Sequence, residues 1–115
     1  MEKRFEISLL FDFYGELLTE KQRDIMDLYF NNDLSLSEIA EINNTSRQAT
    51  HDTIKTCEKV LLVYEEKLKL LNKDHKLKET LKNIISELDN LQTDLKDEKM
   101  KQLIYDIKTQ ISENI

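Results

Sequence analysis

Proline is absent from this chain of 115 residues, and glycine occurs once, at Gly15. Without proline no helix is forced to kink or stop, and with almost no glycine the turns fall to Asn and Asp. The lone cysteine, Cys57, excludes an internal disulfide and suits a reducing cytosol. No apolar run approaches the roughly 20 residues of a membrane-spanning helix. The N-terminal MEKRFEISLL has neither a long apolar core nor a small-residue cleavage site, so no signal peptide is expected. A Gly-rich phosphate loop and a nucleophile elbow are both missing. His51 and His75 are the only histidines. They fall on different predicted helices with no second cysteine, so neither a metal centre nor a cofactor is expected. Carboxylates are plentiful but scatter along solvated helix faces, and nothing points to an enzyme.

What is present is charge and helical periodicity. Charged residues make up 35% of the chain, and Leu, Ile, Lys and Glu recur at helical spacing. An all-α protein follows, with enough aliphatic side chain for a core and against global disorder. The length suits one domain, or a small domain with an extension. The net charge of −6 is unevenly held. Residues 1–72 carry nine Lys/Arg against fourteen Asp/Glu, and residues 73–115 carry eight against nine. A nucleic-acid binder ordinarily shows a basic footprint, so here any such contact has to come from local clustering.

The rest of the chain is organised around the stretch from Leu34 to Lys59. Ser35 and Glu38 are spaced as a capping box that starts a helix. Leu36, Ile39 and the small Ala40 form its apolar face. Asn43-Asn44 breaks it, since Asn accepts the left-handed backbone conformation. Ser46 caps a second helix, in which Ala49, Thr50 and Ile54 are expected to face Ile39. Arg47, Gln48, His51, Asp52 and Lys55 are left on its outer side. This is the layout of a helix-turn-helix, whose second helix enters a major groove. Two packed helices of a plain bundle are the alternative; cap, small residue, turn and second cap together favour the motif.

Around this motif, residues 5–18 predict a first helix with Phe5, Leu9, Phe13 and Leu17 on one stripe and Leu10, Tyr14 and Leu18 beside it. Gly15 within it permits a close helix contact. Thr19 and Gln22 form another capping box, Ile25, Met26, Leu28, Tyr29 and Phe30 supply an apolar surface, and Asn31-Asn32-Asp33 ends that helix. The helix from Arg47 is expected to run on to Asn72 along a seam of Ile54, Cys57, Leu61, Tyr64, Leu68 and Leu71. Cys57 in that seam reads as a buried structural thiol. After a break at Asn72-Lys73-Asp74, Leu77, Leu81, Ile84, Leu88, Leu91 and Leu95 form a coiled-coil-like seam. Met100, Ile104, Ile107 and Ile111 form another, out of phase, with a turn near 93–98. Residues 1–71 thus read as a helix-turn-helix domain and 72–115 as a helical extension. The extension is a hairpin or a pair of long helices, and its seams need a partner surface. That surface belongs to the chain itself, to a second copy in a homodimer through the long helices, or to another protein.

Residues 16–62, through LTEKQRDIMDLYF, LSLSEIAE and SRQATHDTIK, resemble region 4 of bacterial sigma factors. The pieces FDFYGELLTEKQ, LYFNNDLSLSEIAE, SRQA, DTIK and YEEKL, over about residues 5–71, resemble the YlxM family of small bacterial proteins. The chain departs from that family's pattern at Asn44, Thr45, Thr50 and Thr56. The last stands where Arg is frequent, which removes a phosphate contact. The resemblance implies a sigma-region-4-like fold, no catalysis, and a link to the signal recognition particle pathway.

Two functions are then expected to compete. In one, the protein is a DNA-binding regulator: Arg47 and Gln48 read base edges while His51 and Lys55 extend the contact along the groove or backbone. In the other, it is an accessory factor of the signal recognition particle that engages its GTPase subunit or its RNA, acting in the cytoplasm by binding and without catalysis. Fold alone does not choose between them.

Overall fold

Helix caps set the architecture. In the computed structural model, which describes residues 2–114, α1 (Lys3–Tyr14) leads through a 3₁₀ turn (Gly15–Leu17) to α2 (Glu20–Phe30). Then come α3 (Leu36–Ile42), α4 (Arg47–Leu68), α5 (Leu70–Asp94) and α6 (Glu98–Glu113). No strand occurs among the described residues. The Thr19–Gln22 box starts α2 with both reciprocal hydrogen bonds formed. Asp97 caps α6 by accepting from the Lys99 amide. The turns after α2 and α3 hold no glycine, and Asp33 and Asn44 take positive φ there instead.

The chain divides into two compact units, Met1–Leu71 and Asn72–Ile115. In the first, α4 is the spine: α1, α2 and α3 all pack on it. Ile7, Leu10, Phe11, Tyr14, Leu18, Ile25, Met26, Ile39, Ile54, Cys57 and Leu61 make one continuous buried core. Arg4 closes its edge, its guanidinium lying over the rings of Tyr29 and Phe30 and donating to the Tyr29 carbonyl.

The α1 stripe differs from the sequence expectation. Phe5, Phe13 and Leu17 are exposed, while Ile7, Leu10, Phe11, Tyr14 and Leu18 are buried. Residues repeating strictly every fourth position drift around a 3.6-residue helix, so Phe5, Leu9, Phe13 and Leu17 spread over about a third of the circumference. The mixed three-and-four spacing of the observed set keeps one face inward. The helix also ends sooner, at Tyr14.

Gly15 stands where the chain tightens into the 3₁₀ turn, and it is buried against the Phe11 ring. A Cβ there would lie 2.9 Å from two atoms of that ring. Gly15→Ala is therefore expected to cost about 1–2 kcal/mol, although alanine is the better helix former. Thermal melting checks this; a variant more stable than the parent would show that Phe11 gives way freely.

The long helix from Arg47 does not reach Asn72. It stops at Leu68, Lys69 adopts φ 56°, and α5 starts at once. A contact distant in sequence makes that break. The buried Tyr14 hydroxyl donates to Glu65 Oε1 at 2.6 Å and accepts from the Leu70 amide at 2.9 Å. The same Glu65 oxygen accepts from the Leu71 amide at 3.0 Å. Two orphan amides of the new helix are thus satisfied by side chains of α1 and α4.

In the second unit, α5 and α6 are joined by residues 95–97 and linked through Gln92 and Lys108. The seams are rotated from those expected. In this unit the half-buried positions of α5 are Asp74, Leu81, Ile85, Leu88 and Gln92, with Leu95 just past its end, whereas Leu77, Ile84 and Leu91 are exposed. On α6 only Ile104 is buried, and Met100 and Ile107 face solvent. One helix can cover only one side of another, so each wide apolar face is half satisfied. Among the described residues no helix is long and apolar enough to cross a membrane.

Candidate functional site

The outer side of α4 is built by two caps and a turn. The Ser35 side chain accepts from the Glu38 amide while Glu38 accepts from the Ser35 amide, at 3.1 and 3.0 Å. These bonds to Ser35 hold the Glu38 carboxyl below its usual pKa. After Ile42, the Asn44 amide bonds to the Glu41 carbonyl and the Thr45 amide to the Ala40 carbonyl. With Asn44 at φ 52°, this is a Schellman turn built on asparagine in place of glycine. The Asn43 side chain adds a bond to the Ile39 carbonyl. Ser46 then caps α4 by accepting from the Ala49 amide. Thr50, fully buried, satisfies its hydroxyl on the Ser46 carbonyl. α3 is thereby held against α4 through Ile39, Ala40, Thr50 and Ile54, all buried. Ala49 differs from expectation: it is exposed and borders a shallow hollow with Asn43, Thr45 and Thr53 instead of packing on Ile39.

Arg47, Gln48, His51 and Lys55 lie on the accessible side of α4, and they do not stand equal. Arg47 is exposed and makes no hydrogen bond or ion pair among the described residues. Gln48 donates to Asp52 at 2.9 Å, and His51 Nδ1 lies 3.5 Å from the same carboxylate. Lys55 reaches Glu58 at 3.4 Å. Asp52 therefore engages two of the four candidates and Glu58 a third; the i,i+4 spacing of Gln48–Asp52 and the i,i+3 spacing of Lys55–Glu58 are readable in the sequence, whereas His51 and Asp52 are chain neighbours. Over residues 47–59, Arg47, Lys55 and Lys59 still outnumber Asp52 and Glu58. The face is locally basic in an acidic chain.

The lone thiol is withdrawn from solvent. Cys57 is fully buried, and its burial, reinforced by neighbouring Glu58, pushes the thiol above its usual pKa. That is the opposite of what a nucleophile or metal ligand needs. No cluster of His, Cys, Asp and Glu among the described residues could hold a metal ion.

The comparisons with known proteins agree with this geometry. Residues 1–104 match the UPF0122 family model, described as "Putative helix-turn-helix protein, YlxM / p13 like". A UPF0122 protein of Clostridium perfringens (strain SM101) is 54% identical over 110 residues, covering 90% of this chain and 98% of the relative. One from Clostridium kluyveri (strain ATCC 8527) is 49% identical over 115 residues, the full length of both. One from Clostridium acetobutylicum is 48% identical over 112 residues, 97% of each chain. A helix-turn-helix description fits binding, not catalysis. With its capped α3–α4 pair and all-helical fold, the chain belongs to the UPF0122 family of YlxM/p13-like helix-turn-helix proteins.

Proposed function

We propose that this protein is a regulatory binding factor of the signal recognition particle pathway, which engages the ribonucleoprotein through the outer side of α4. The observation that carries the reading is Arg47: exposed and unpartnered at the first turn of α4, beside Gln48, His51 and Lys55. An unpaired guanidinium is suited to phosphate or to the hydrogen-bonding edge of a guanine. The resemblance to YlxM proteins supplies the particle as the partner. Asp52 and Glu58 beside the basic groups, and a net charge of −6, disfavour tight non-specific attachment to a phosphate backbone. A ribonucleoprotein, contacted partly through protein, fits that balance better than bare duplex.

The capped α3–α4 geometry itself favours a second reading, a DNA-binding transcriptional regulator unrelated to the particle. Titration of the labelled protein separates the two. One arm uses reconstituted particle, with its RNA and its GTPase subunit also tested alone; the other uses mixed duplex DNA. Both run at two salt concentrations. Tight particle binding with little affinity for DNA supports the first reading. Steeply salt-dependent DNA binding without particle binding overturns it in favour of the second. Binding to neither overturns both.

In whichever arm binds, Arg47→Ala is expected to weaken affinity by roughly 10–100-fold at unchanged helicity, the loss that follows removal of one good bidentate contact. Parent-like affinity in that variant would remove Arg47 from the interface.

A further inference from the structure

The second unit leaves a stripe uncovered. Leu77, Ile84 and Leu91 of α5 are 57%, 38% and 51% exposed. Residues seven apart on a helix lie within about 20° of one another, so these three form a straight ridge. α6 packs along the neighbouring side of α5 and leaves its own Met100, Leu103 and Ile107 exposed. Among the described residues of this unit only Ile104 is buried. A two-helix hairpin with one buried side chain has little to hold it in water, and apolar ridges of this kind mark association surfaces.

The charges along α5 select the occupant. Its first half, to Lys82, carries Lys73, Lys76, Lys78 and Lys82 against Asp74 and Glu79. Its second half carries Glu87, Asp89 and Asp94 and no basic residue. One end of the helix is therefore basic and the other acidic. A helix so divided is complementary to itself when reversed, and repels itself when parallel.

We infer that α5 pairs antiparallel with α5 of a second copy of this chain, about a two-fold axis passing through Ile84. That axis sets Ile84 on its own equivalent and Leu77 against Leu91 of the other copy. It also brings Lys73 beside Asp94 of the other copy; neither has an ion pair among the described residues. The contact is isologous, so it closes at a dimer and leaves no sticky surface to propagate. A 25-residue α5 is about 37 Å long, room for a continuous seam. With α6 of each copy alongside, the product is a four-helix arrangement that covers the ridge a lone hairpin exposes. The inference stands on the second unit alone and is independent of what α4 binds.

Light scattering on the full chain over a concentration series is the first measurement, and a dimer that dissociates on dilution is the expected result. Ile84→Glu, which sets two carboxylates on the axis, is expected to be monomeric where the parent is dimeric, with helicity retained because the position is exposed. Orientation is read by mixing Leu77→Cys chains with Leu91→Cys chains under oxidation. Antiparallel pairing gives the mixed disulfide; disulfides only between like chains would overturn it. A parent chain that is monomeric throughout the series, as it would be if the ridge serves a different protein, or an Ile84→Glu chain that dimerises like the parent, would overturn the pairing itself.

Discussion

Leu61→Ala is expected to destabilise the first unit by about 3–4 kcal/mol, from the transfer free energy of the lost methyls plus a cavity that the packed surroundings cannot collapse. Leu61 is fully buried on α4, within the core to which α1 and α2 also contribute. A small domain has only about 5–15 kcal/mol in hand, so this single truncation brings the unit close to its unfolding threshold. The adjacent Leu62 is the control. It is exposed, and Leu62→Ala is expected to change stability by less than about 1 kcal/mol. Urea titration of both variants checks the pair. Equal losses would mean that α4 is packed on more sides than this fold places it.

Tyr14→Phe is expected to cost about 2 kcal/mol without leaving a cavity. The ring stays and the hydroxyl goes. Glu65 then loses a 2.6 Å donor, and the Leu70 amide loses its acceptor. Hydrogen bonds to charged groups, and donors left unmet, carry penalties of this size. The damage is local in character: the start of α5 is expected to fray, with faster hydrogen exchange at the Leu70 and Leu71 amides, while the capped α3–α4 pair keeps its protection.

The same substitution has a pH signature. Burial first, then the hydrogen bond and charge of Glu65, raise the Tyr14 phenol above its usual value. In the unfolded chain that phenol loses its proton near pH 10, while in the native protein it still holds it. Above that point the unfolded state binds fewer protons than the native one, so stability falls as pH rises through about 10. Below it the contribution is intact. The remaining tyrosines are common to both proteins, so the parent should lose more stability than Tyr14→Phe between neutral and strongly alkaline pH. Parallel curves would show that the hydroxyl is not confined as described.

The candidate site was the most legible part of the chain because its determinants are local. A capping box spans four residues, an asparagine turn spans two, and Ser46 is adjacent to the helix it caps. The positions of Arg47, Gln48, His51 and Lys55 follow from the pitch once the cap is placed. The i,i+4 spacing of Gln48 and Asp52 also makes their hydrogen bond legible, whereas the approach of His51 to the same carboxylate, from the adjacent position, depends on side-chain rotamers that no spacing specifies. The less legible parts fall where several answers satisfy the same local rule. The α1 residues Phe5, Leu9, Phe13 and Leu17 and the observed core set both look apolar on paper, and only packing against α4 decides between them. The α5 seam is ambiguous for the same reason: its apolar arc is wider than a single neighbour covers.

An all-helical protein, the caps of α2, α3 and α4, a helix-turn-helix at 35–59 and the family resemblance can all be read along the chain. Capping, turn formation and periodicity act over four or five residues, so one chain read in order contains them. Which face of α1 is buried, the break of the long helix at Lys69, and which α5 residues α6 leaves exposed are settled by packing. Those outcomes depend on groups brought together across long separations. Tyr14 acts on an amide 56 positions away, and no local pattern specifies the contact before the core has formed.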